Sequence, residues 1–259
     1  MRGTDSSSNR RLPVVILSIV IVVFVAFFAL CNISSVASSL EKVPIIGELV
    51  HVLRIGGGGK TTDGTHAAVS ATTSSIRINF TQDSNPTSNA PNFNVLKFSA
   101  PHRLLFTLNG VRSFDFDATR EDFEKLPFVS DVYKIIYLDD SAYSFVVELT
   151  QDVDYKVSEY RHPGYIELSF LAPNKVEPSG VYFVRSPSMP MDEGLAAVCD
   201  ALGSDHASMV KTQDGEFCVA SPVFSSKADA ARELVFWQAI VNSKFKPYIE
   251  SAMTNKKPK

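Results

Sequence analysis

The sequence lacks the side-chain clusters that carry metal or catalytic chemistry. Its histidines are scattered without HxxxH or HExxH spacing, and no pair of cysteines has the spacing of metal ligands. Neither a GxSxG nor an SxxK motif occurs in a plausible context. Gly56–Lys60 is not a phosphate-binding loop, because no hydrophobic strand precedes it and no helix pattern follows it. We therefore expect no enzymatic activity, no cofactor and no metal site.

Cysteine and net positive charge are also scarce. The chain has three cysteines, Cys31, Cys199 and Cys218, and a formal net charge of −3. Outside the cytoplasm Cys199 and Cys218 could form one disulfide, and two half-buried free thiols are the alternative. The slightly acidic balance argues against nucleic acid as a partner.

The longest apolar run is PVVILSIVIVVFVAFFAL, from Pro13 to Leu30, and it contains no charge. As a helix it would be roughly 27 Å long, close to the hydrocarbon thickness of a bilayer. Three arginines precede it, so the positive-inside rule predicts a cytoplasmic tail at residues 1–12 and a single-pass membrane anchor at 13–31. Everything beyond would be extracytoplasmic. Cleavage by signal peptidase after Ala37 is an open alternative.

Two segments are expected between the anchor and the first folded domain. Residues 32–54 are a juxtamembrane amphipathic segment, because apolar side chains recur at three- and four-residue steps in 36–53. The EKVPIIG run in this segment resembles the membrane-proximal segment of transmembrane sigma-factor regulators. Residues 55–74 are rich in Gly, Thr and Ser and are expected to be a flexible linker.

From Ile76 onward, apolar and polar residues alternate. Short runs rich in β-branched and aromatic residues, separated by turn signals, predict a β-sandwich over residues 75–172. The run SFDFDA, residues 113–118, is one of the expected strands. Helical spacing appears at Glu121–Phe128.

A family resemblance covers the same region. The stretch FSAPHRLLFTLNGVR, from Phe98 to Arg112, resembles the signature of the AMIN domain, in which a Pro-containing turn and an arginine lead into a strand. Ser130–Tyr160 resembles the second half of that domain. The resemblance implies a β-sandwich of bacterial envelope proteins that is targeted to peptidoglycan or to an envelope protein complex. It also implies a role in binding for Arg103.

A second domain is expected after a boundary at residues 173–180, which contain two prolines. Strand and helix signals then follow in the order βαββαβ over residues 181–251, the order of a ferredoxin-like unit. One helix is expected at Asp192–Leu202. Residues 252–259 are expected to be a frayed basic tail.

This second domain resembles a known module as well. The run FCVASPVFSSKADAARELV and the element order resemble the second half of a SPOR domain, a peptidoglycan-binding module of bacterial division and sporulation proteins. If Tyr182 and Val184 face the helices, alternation places Phe183 and Arg185 on the opposite, open face of the sheet. An aromatic ring and a cation there could bind a glycan, and an ordinary partly covered sheet face is the alternative.

Together these patterns predict an N-terminal transmembrane helix, then an all-β sandwich (AMIN-like) and a small α+β ferredoxin-like domain (SPOR-like). The expected function is that of a non-enzymatic, membrane-anchored bacterial envelope protein that binds peptidoglycan or a wall-associated protein complex, in cell division or sporulation. The alternative is a membrane signalling or sensor subunit that acts through protein–protein contacts. The candidate residues for glycan or partner binding are Arg103, Phe183 and Arg185.

Overall fold

The computed structural model describes residues 57–72, 74–138, 141–241 and 245–259. The expected cytoplasmic tail, anchor and juxtamembrane segment, residues 1–54, lie outside the described residues. The described part of the chain is mostly β-sheet and contains three α-helices. None of these helices is long and apolar enough to cross a membrane.

The first eleven strands and the first helix form a two-sheet sandwich. One sheet has the order β1-β5-β6-β9-β8, and the other has the order β10-β11-β3-β2-β7, with β4 paired to β3. All strand pairs are antiparallel except β2 with β7. The elements are β1 (Gly57–Gly58), β2 (Thr65–Ala71), β3 (Ser75–Gln82), β4 (Asn85–Pro86), β5 (Phe93–Ser99), β6 (His102–Asn109), β7 (Val111–Phe114), α1 (Phe116–Glu124), β8 (Val129–Ile135), β9 (Ala142–Leu149), β10 (Val153–Tyr160) and β11 (Tyr165–Pro173).

Aromatic rings fill the core between the two sheets. Phe106 and Phe145 stack with their centroids 4.7 Å apart, and Phe123 of α1 meets both rings edge-on. Ile78 and Ile166 face them from the other sheet, because alternate side chains of a strand point to the same side. This core explains why the period-two pattern is so regular from Ile76 onward.

The helix α1 departs from the expected course of the chain. The run at 113–118, expected to be a strand, instead crosses from the end of β7 into α1. Asp115 caps this helix, because its side chain accepts a hydrogen bond of 3.1 Å from the Ala118 N–H. The helix therefore begins at Phe116 rather than Glu121. It contacts β2 of the six-stranded sheet and β8 of the five-stranded sheet.

The expectation of a flexible linker at residues 55–74 is wrong for Thr65–Ala71, which form a strand. Strand β2 lies inside the six-stranded sheet, between β3 and β7. Its inward positions, Ala67, Val69 and Ala71, contact the aromatic core, and Thr65 donates a 2.9 Å hydrogen bond to the Gly110 carbonyl. The small side chains of this strand resemble a linker in composition, but they suit a position close to bulky core rings.

The C-terminal subdomain, residues 180–259, contains one four-stranded antiparallel sheet with the order β13-β14-β12-β15. Asp192 and Ser226 cap its two helices. The helices lie on one face of the sheet, where Leu195 and Trp237 are fully buried. The elements are β12 (Gly180–Arg185), α2 (Glu193–Leu202), β13 (Ser208–Lys211), β14 (Phe217–Ala220), α3 (Lys227–Ile240) and β15 (Tyr248–Met253).

The sandwich and the C-terminal subdomain share an apolar core. Leu105, Tyr133 and Val146, on the outer face of the five-stranded sheet, cluster with residues of the subdomain. The Tyr133 and Phe217 rings meet edge-on with centroids 5.5 Å apart. Residues 56–259 accordingly form one compact unit.

The expected fold class is therefore corrected. It combined a transmembrane helix, an all-β sandwich and a separate α+β domain, whereas no helix in the described ranges can cross a membrane. The sandwich is not all-β, because α1 is part of it, and it is not separate, because a shared core joins it to the following residues.

Of the two alternatives for Cys199 and Cys218, a disulfide or two half-buried free thiols, the structure has free thiols, and both are buried. Cys199 lies on α2, on the helix side of the four-stranded sheet. Cys218 lies on β14 and points to the opposite side, where it contacts Phe183 and Val210. The sheet itself separates the two sulfur atoms. Burial raises the pKa of each thiol to about 12.

We predict that both thiols resist alkylation in the folded protein. A buried thiol with a pKa of about 12 has almost no reactive thiolate at neutral pH. Mass spectrometry of a Cys31→Ser variant treated with iodoacetamide should show no label in buffer and two labels after unfolding in urea. A native label, or an intramolecular disulfide in the untreated protein, would contradict this arrangement.

Candidate functional site

Arg103, the arginine of the AMIN-like stretch, lies in the interior. It is 3% exposed and points from β6 toward the C-terminal subdomain. Its guanidinium donates to the Ala100 and Pro101 carbonyls and, at 2.8 Å, to the Ser208 hydroxyl. The Phe98 ring covers it at 4.2 Å. These contacts make Arg103 a link between the two parts of the fold, and they leave no surface on which it could meet a ligand.

Phe183 and Arg185 do point away from the helices, but their face of the sheet is covered. Phe183 is 5% exposed and Arg185 is fully buried. Lys256 and Pro258 of the C-terminal tail and the Ala100–Pro101 turn lie over this face. The expectation of an open glycan-binding face at Phe183 and Arg185 is therefore wrong.

Arg185 is part of a polar clamp on the tail. Its guanidinium donates at 3.0 Å to Glu250, at 2.6 Å to Ser188, and to the main-chain oxygen of Lys259. The Lys259 N–H donates in turn to the second oxygen of Glu250, at 2.9 Å. The main-chain N–H and the main-chain oxygen of Lys259 are thus both hydrogen-bonded. The expectation of a frayed basic tail at 252–259 is therefore wrong.

A second ion-pair cluster holds the tail against the sandwich. The Lys257 Nζ lies 2.6 Å from Glu148 and 3.3 Å from Asp131, and Lys211 also pairs with Asp131 at 2.8 Å. Burial raises the pKa of Glu148, and Lys257 offsets this shift only in part. Burial would also raise the pKa of Asp131, but the hydrogen bonds and charges of its two lysines hold that pKa below its usual value.

The predicted residues Arg103, Phe183 and Arg185 are buried, whereas the six-stranded sheet has an exposed face. One of its faces packs on the sandwich core, and the other faces away from it. The strand registers place side chains of β10, β11, β3 and β2 in neighbouring rows on this face. We call this surface the open face; its members are partly or fully exposed and comprise Tyr160, Ser158, Tyr165, Glu167, Arg77, Asn79, Ser70 and Ala68.

A stack of planar side chains stands on the open face. Tyr160 and Tyr165 lie directly opposite each other, and their rings are 4.3 Å apart and 13° from parallel. The Arg77 guanidinium lies 4.4 Å from the centre of the Tyr165 ring and bonds Glu167 at 3.2 Å. Tyr165 is therefore covered on both faces, whereas Tyr160 ends the stack at the sheet edge and is 40% exposed.

The turn between β10 and β11 fixes this stack. The His162 N–H donates to the Ser88 carbonyl at 3.0 Å, and the Gly164 N–H donates to the Thr87 carbonyl at 2.6 Å. A side chain at position 164 would come within 2.2 Å of the Asn89 backbone, so glycine is required there. The rigid turn holds the two tyrosines in register.

The chemistry of the open face is that of recognition. An exposed aromatic ring offers an apolar surface for the C–H faces of a sugar, while Asn79, Ser158 and the Arg77–Glu167 pair offer hydrogen bonds at its side. In the described ranges, no group of three or more His, Cys, Asp or Glu side chains is placed to hold a metal ion. Sequence reasoning missed the two tyrosines, although their positions on either side of a Pro-Gly turn indicate a cross-strand pair.

No family model matches this chain, and comparison with the curated proteins and with the solved structures gives no match. The resemblances to AMIN and SPOR domains and to sigma-factor regulators stay predictions.

We predict that Lys257→Met lowers the free energy of unfolding by about 2 kcal/mol at neutral pH, because it leaves the buried Glu148 without its cation and removes one of the two lysines that pair with the partly buried Asp131. The folded-state pKa of Glu148 already lies above its ordinary value of 4.5. A raised pKa favours folding at low pH, so the deficit should shrink as the pH falls through that pKa. Urea titrations of the full chain in mild detergent, followed by the fluorescence of the buried Trp237, measure both effects.

Lys256→Met is the matched control for this prediction. Lys256 neighbours Lys257 and is exposed, so its loss should change the unfolding free energy by less than about 0.5 kcal/mol. Equal effects of the two variants, or a Lys257→Met deficit that does not change with pH, would contradict the proposed role of the ion pair.

Proposed function

We propose that this chain is a non-enzymatic, membrane-anchored protein of the bacterial envelope that binds the glycan strands of peptidoglycan through its open face. The observation that carries the proposal is the Tyr160–Tyr165–Arg77 stack on an exposed sheet surface. Location at the membrane rests on the apolar run at 13–30 and its flanking arginines. The family resemblances point to the same ligand.

The charge balance of the open face supports an uncharged sugar rather than a polyanion. Arg77 is paired with Glu167, so the centre of the face carries little net charge, and the exposed Lys156 adds a single positive charge beside Ser169. Anionic wall polymers would instead call for a cluster of unpaired lysines or arginines. Binding should therefore depend on apolar stacking and hydrogen bonds, which salt screens weakly.

We predict that Tyr160→Ala weakens co-sedimentation of the full chain with purified sacculi by about tenfold, which corresponds to ~1.4 kcal/mol. Tyr160 supplies the exposed ring, so its removal takes away the stacking surface directly. Tyr165→Ala should have a similar effect, because the Tyr160 ring then loses the ring against which it stacks. Binding isotherms at increasing protein concentration, in mild detergent, give the two ratios.

Leu96→Ala provides a control, because Leu96 is also 40% exposed but lies on β5 of the five-stranded sheet, away from the open face. Its affinity for sacculi should equal that of the unmodified chain. Raising the salt from about 0.05 to about 0.5 M should change the affinity less than twofold. If both tyrosine variants bind sacculi with the wild-type affinity, the open face is not the binding site. Absence of wild-type binding would contradict the function itself.

A further inference from the structure

The described residues contain six sheet edges, and five of them are short or protected. β1 has two residues, and β7 and β13 have four each. β13 also docks on the sandwich, where the Tyr133 hydroxyl accepts a hydrogen bond from the Lys211 N–H. β8 and β10 each carry an irregularity in register, and exposed lysines lie on both strands. Bulges, charges and short length are the usual means by which proteins prevent edge-to-edge pairing.

β15 has none of these protections. It pairs with β12 over six residues without a break in register, and no described strand lies on its other side. Its sequence, YIESAM, has no lysine, arginine or proline. Its single charge, Glu250, is bound to the buried Arg185. β15 lies at the opposite edge of the sheet from β13.

The hydrogen-bond pattern shows which main-chain groups of β15 point outward. The Thr254 N–H donates to the Ser179 carbonyl at 3.0 Å, while Tyr182 exchanges both of its main-chain bonds with Phe224. Because bonded and non-bonded pairs alternate in an antiparallel ladder, Tyr182 is not bonded to its β15 neighbour, Ser251. It follows that the N–H and C=O groups of Ile249, Ser251 and Met253 point away from β12.

We propose that two copies of this chain pair through β15, forming a continuous eight-stranded antiparallel sheet across a two-fold axis at Ser251. This register joins outward-pointing groups: Ser251 meets Ser251 of the second copy, and the Met253 N–H meets the Ile249 carbonyl of the second copy. The Met253 carbonyl already accepts a 2.9 Å hydrogen bond from the Lys256 N–H of its own chain, so the Ser251 pair is the centre of the ladder. Glu250 lies opposite Ala252 of the second copy, so no like charges meet. The side chain of Met253, 43% exposed in the single chain, becomes covered by an apolar neighbour.

The position of α3 adds contact area to the same interface. The helix contacts β12 and β15, the two strands nearest this edge. A two-fold axis perpendicular to the sheet keeps both copies of α3 on one face and separates their axes by two strand spacings, about 10 Å. Packed helices lie about 8–10 Å apart. Ala231 and Val235, the latter 67% exposed, are small or apolar and lie on the exposed surface of α3.

Disulfide trapping tests the register. In a Cys31→Ser background, Ser251→Cys places two thiols on the two-fold axis, where the bonded pair sets the Cα atoms about 5.5 Å apart, within disulfide range. Mild oxidation of the full chain in detergent should give a covalent dimer. Its rate should exceed by at least about tenfold that of Lys156→Cys, an exposed position on the other long edge strand.

Two disruptive variants test the contact itself. Ser251→Pro removes an N–H that points outward, so the ladder with β12 keeps its bonds while pairing with the second copy is lost. Met253→Lys places a charge on the edge and does not disturb the backbone. Each should weaken the dimer by at least about tenfold in sedimentation velocity, while the control Leu171→Lys, at an equally exposed position, should not.

Three results would overturn the proposal. The first is a monomer at all concentrations. The second is a dimer that both variants leave unchanged, which would place its interface elsewhere. The third is a mixed disulfide of the Ser251→Cys variant with a different protein, which would assign the edge to a partner's strand.

Discussion

Burial of both faces of the five-stranded sheet is the constraint on which the rest of the structure depends. On β6, Leu104 and Phe106 fill the sandwich core, while Leu105 faces the C-terminal subdomain. Each buried side chain of this size stabilises the fold by roughly 1.5–3 kcal/mol. Because the outer face is closed, the polar groups on it need internal partners. Arg103 finds them in carbonyls and Ser208, and Glu148 finds Lys257 of the tail.

The same constraint decides which sheet faces of the described residues are covered and which stay exposed. The five-stranded sheet is covered on its outer side by the C-terminal subdomain, and the four-stranded sheet is covered by its helices on one side and by the tail on the other. Among the described sheets, the six-stranded one keeps a broad exposed face. Its outward side chains have no core to fill, so their chemistry is free to serve recognition.

Local patterns predicted individual elements well and their surroundings poorly. The helix expected at Asp192–Leu202 is α2, and the alternation that set Phe183 and Arg185 opposite Val184 describes the true directions of these side chains. Period and caps are local signals, so they can be read from the chain. Whether a sheet face is covered depends on residues that are distant in the sequence. Arg185 is buried by contacts with residues more than sixty positions away in the sequence. β2 lies inside a sheet although its amino-acid composition is typical of a linker.

The proposed pairing at β15 and the proposed binding at the open face would reinforce each other. A two-fold axis at β15 would hold two copies of the open face at a fixed separation, because each sandwich is joined to its own C-terminal subdomain by a shared core. Two weak sites held at a fixed distance on one extended polymer bind with an avidity that can exceed the single-site affinity by about 10²–10⁴-fold. Under the two proposals, a modest stacking surface would be sufficient for wall attachment when two copies present it together.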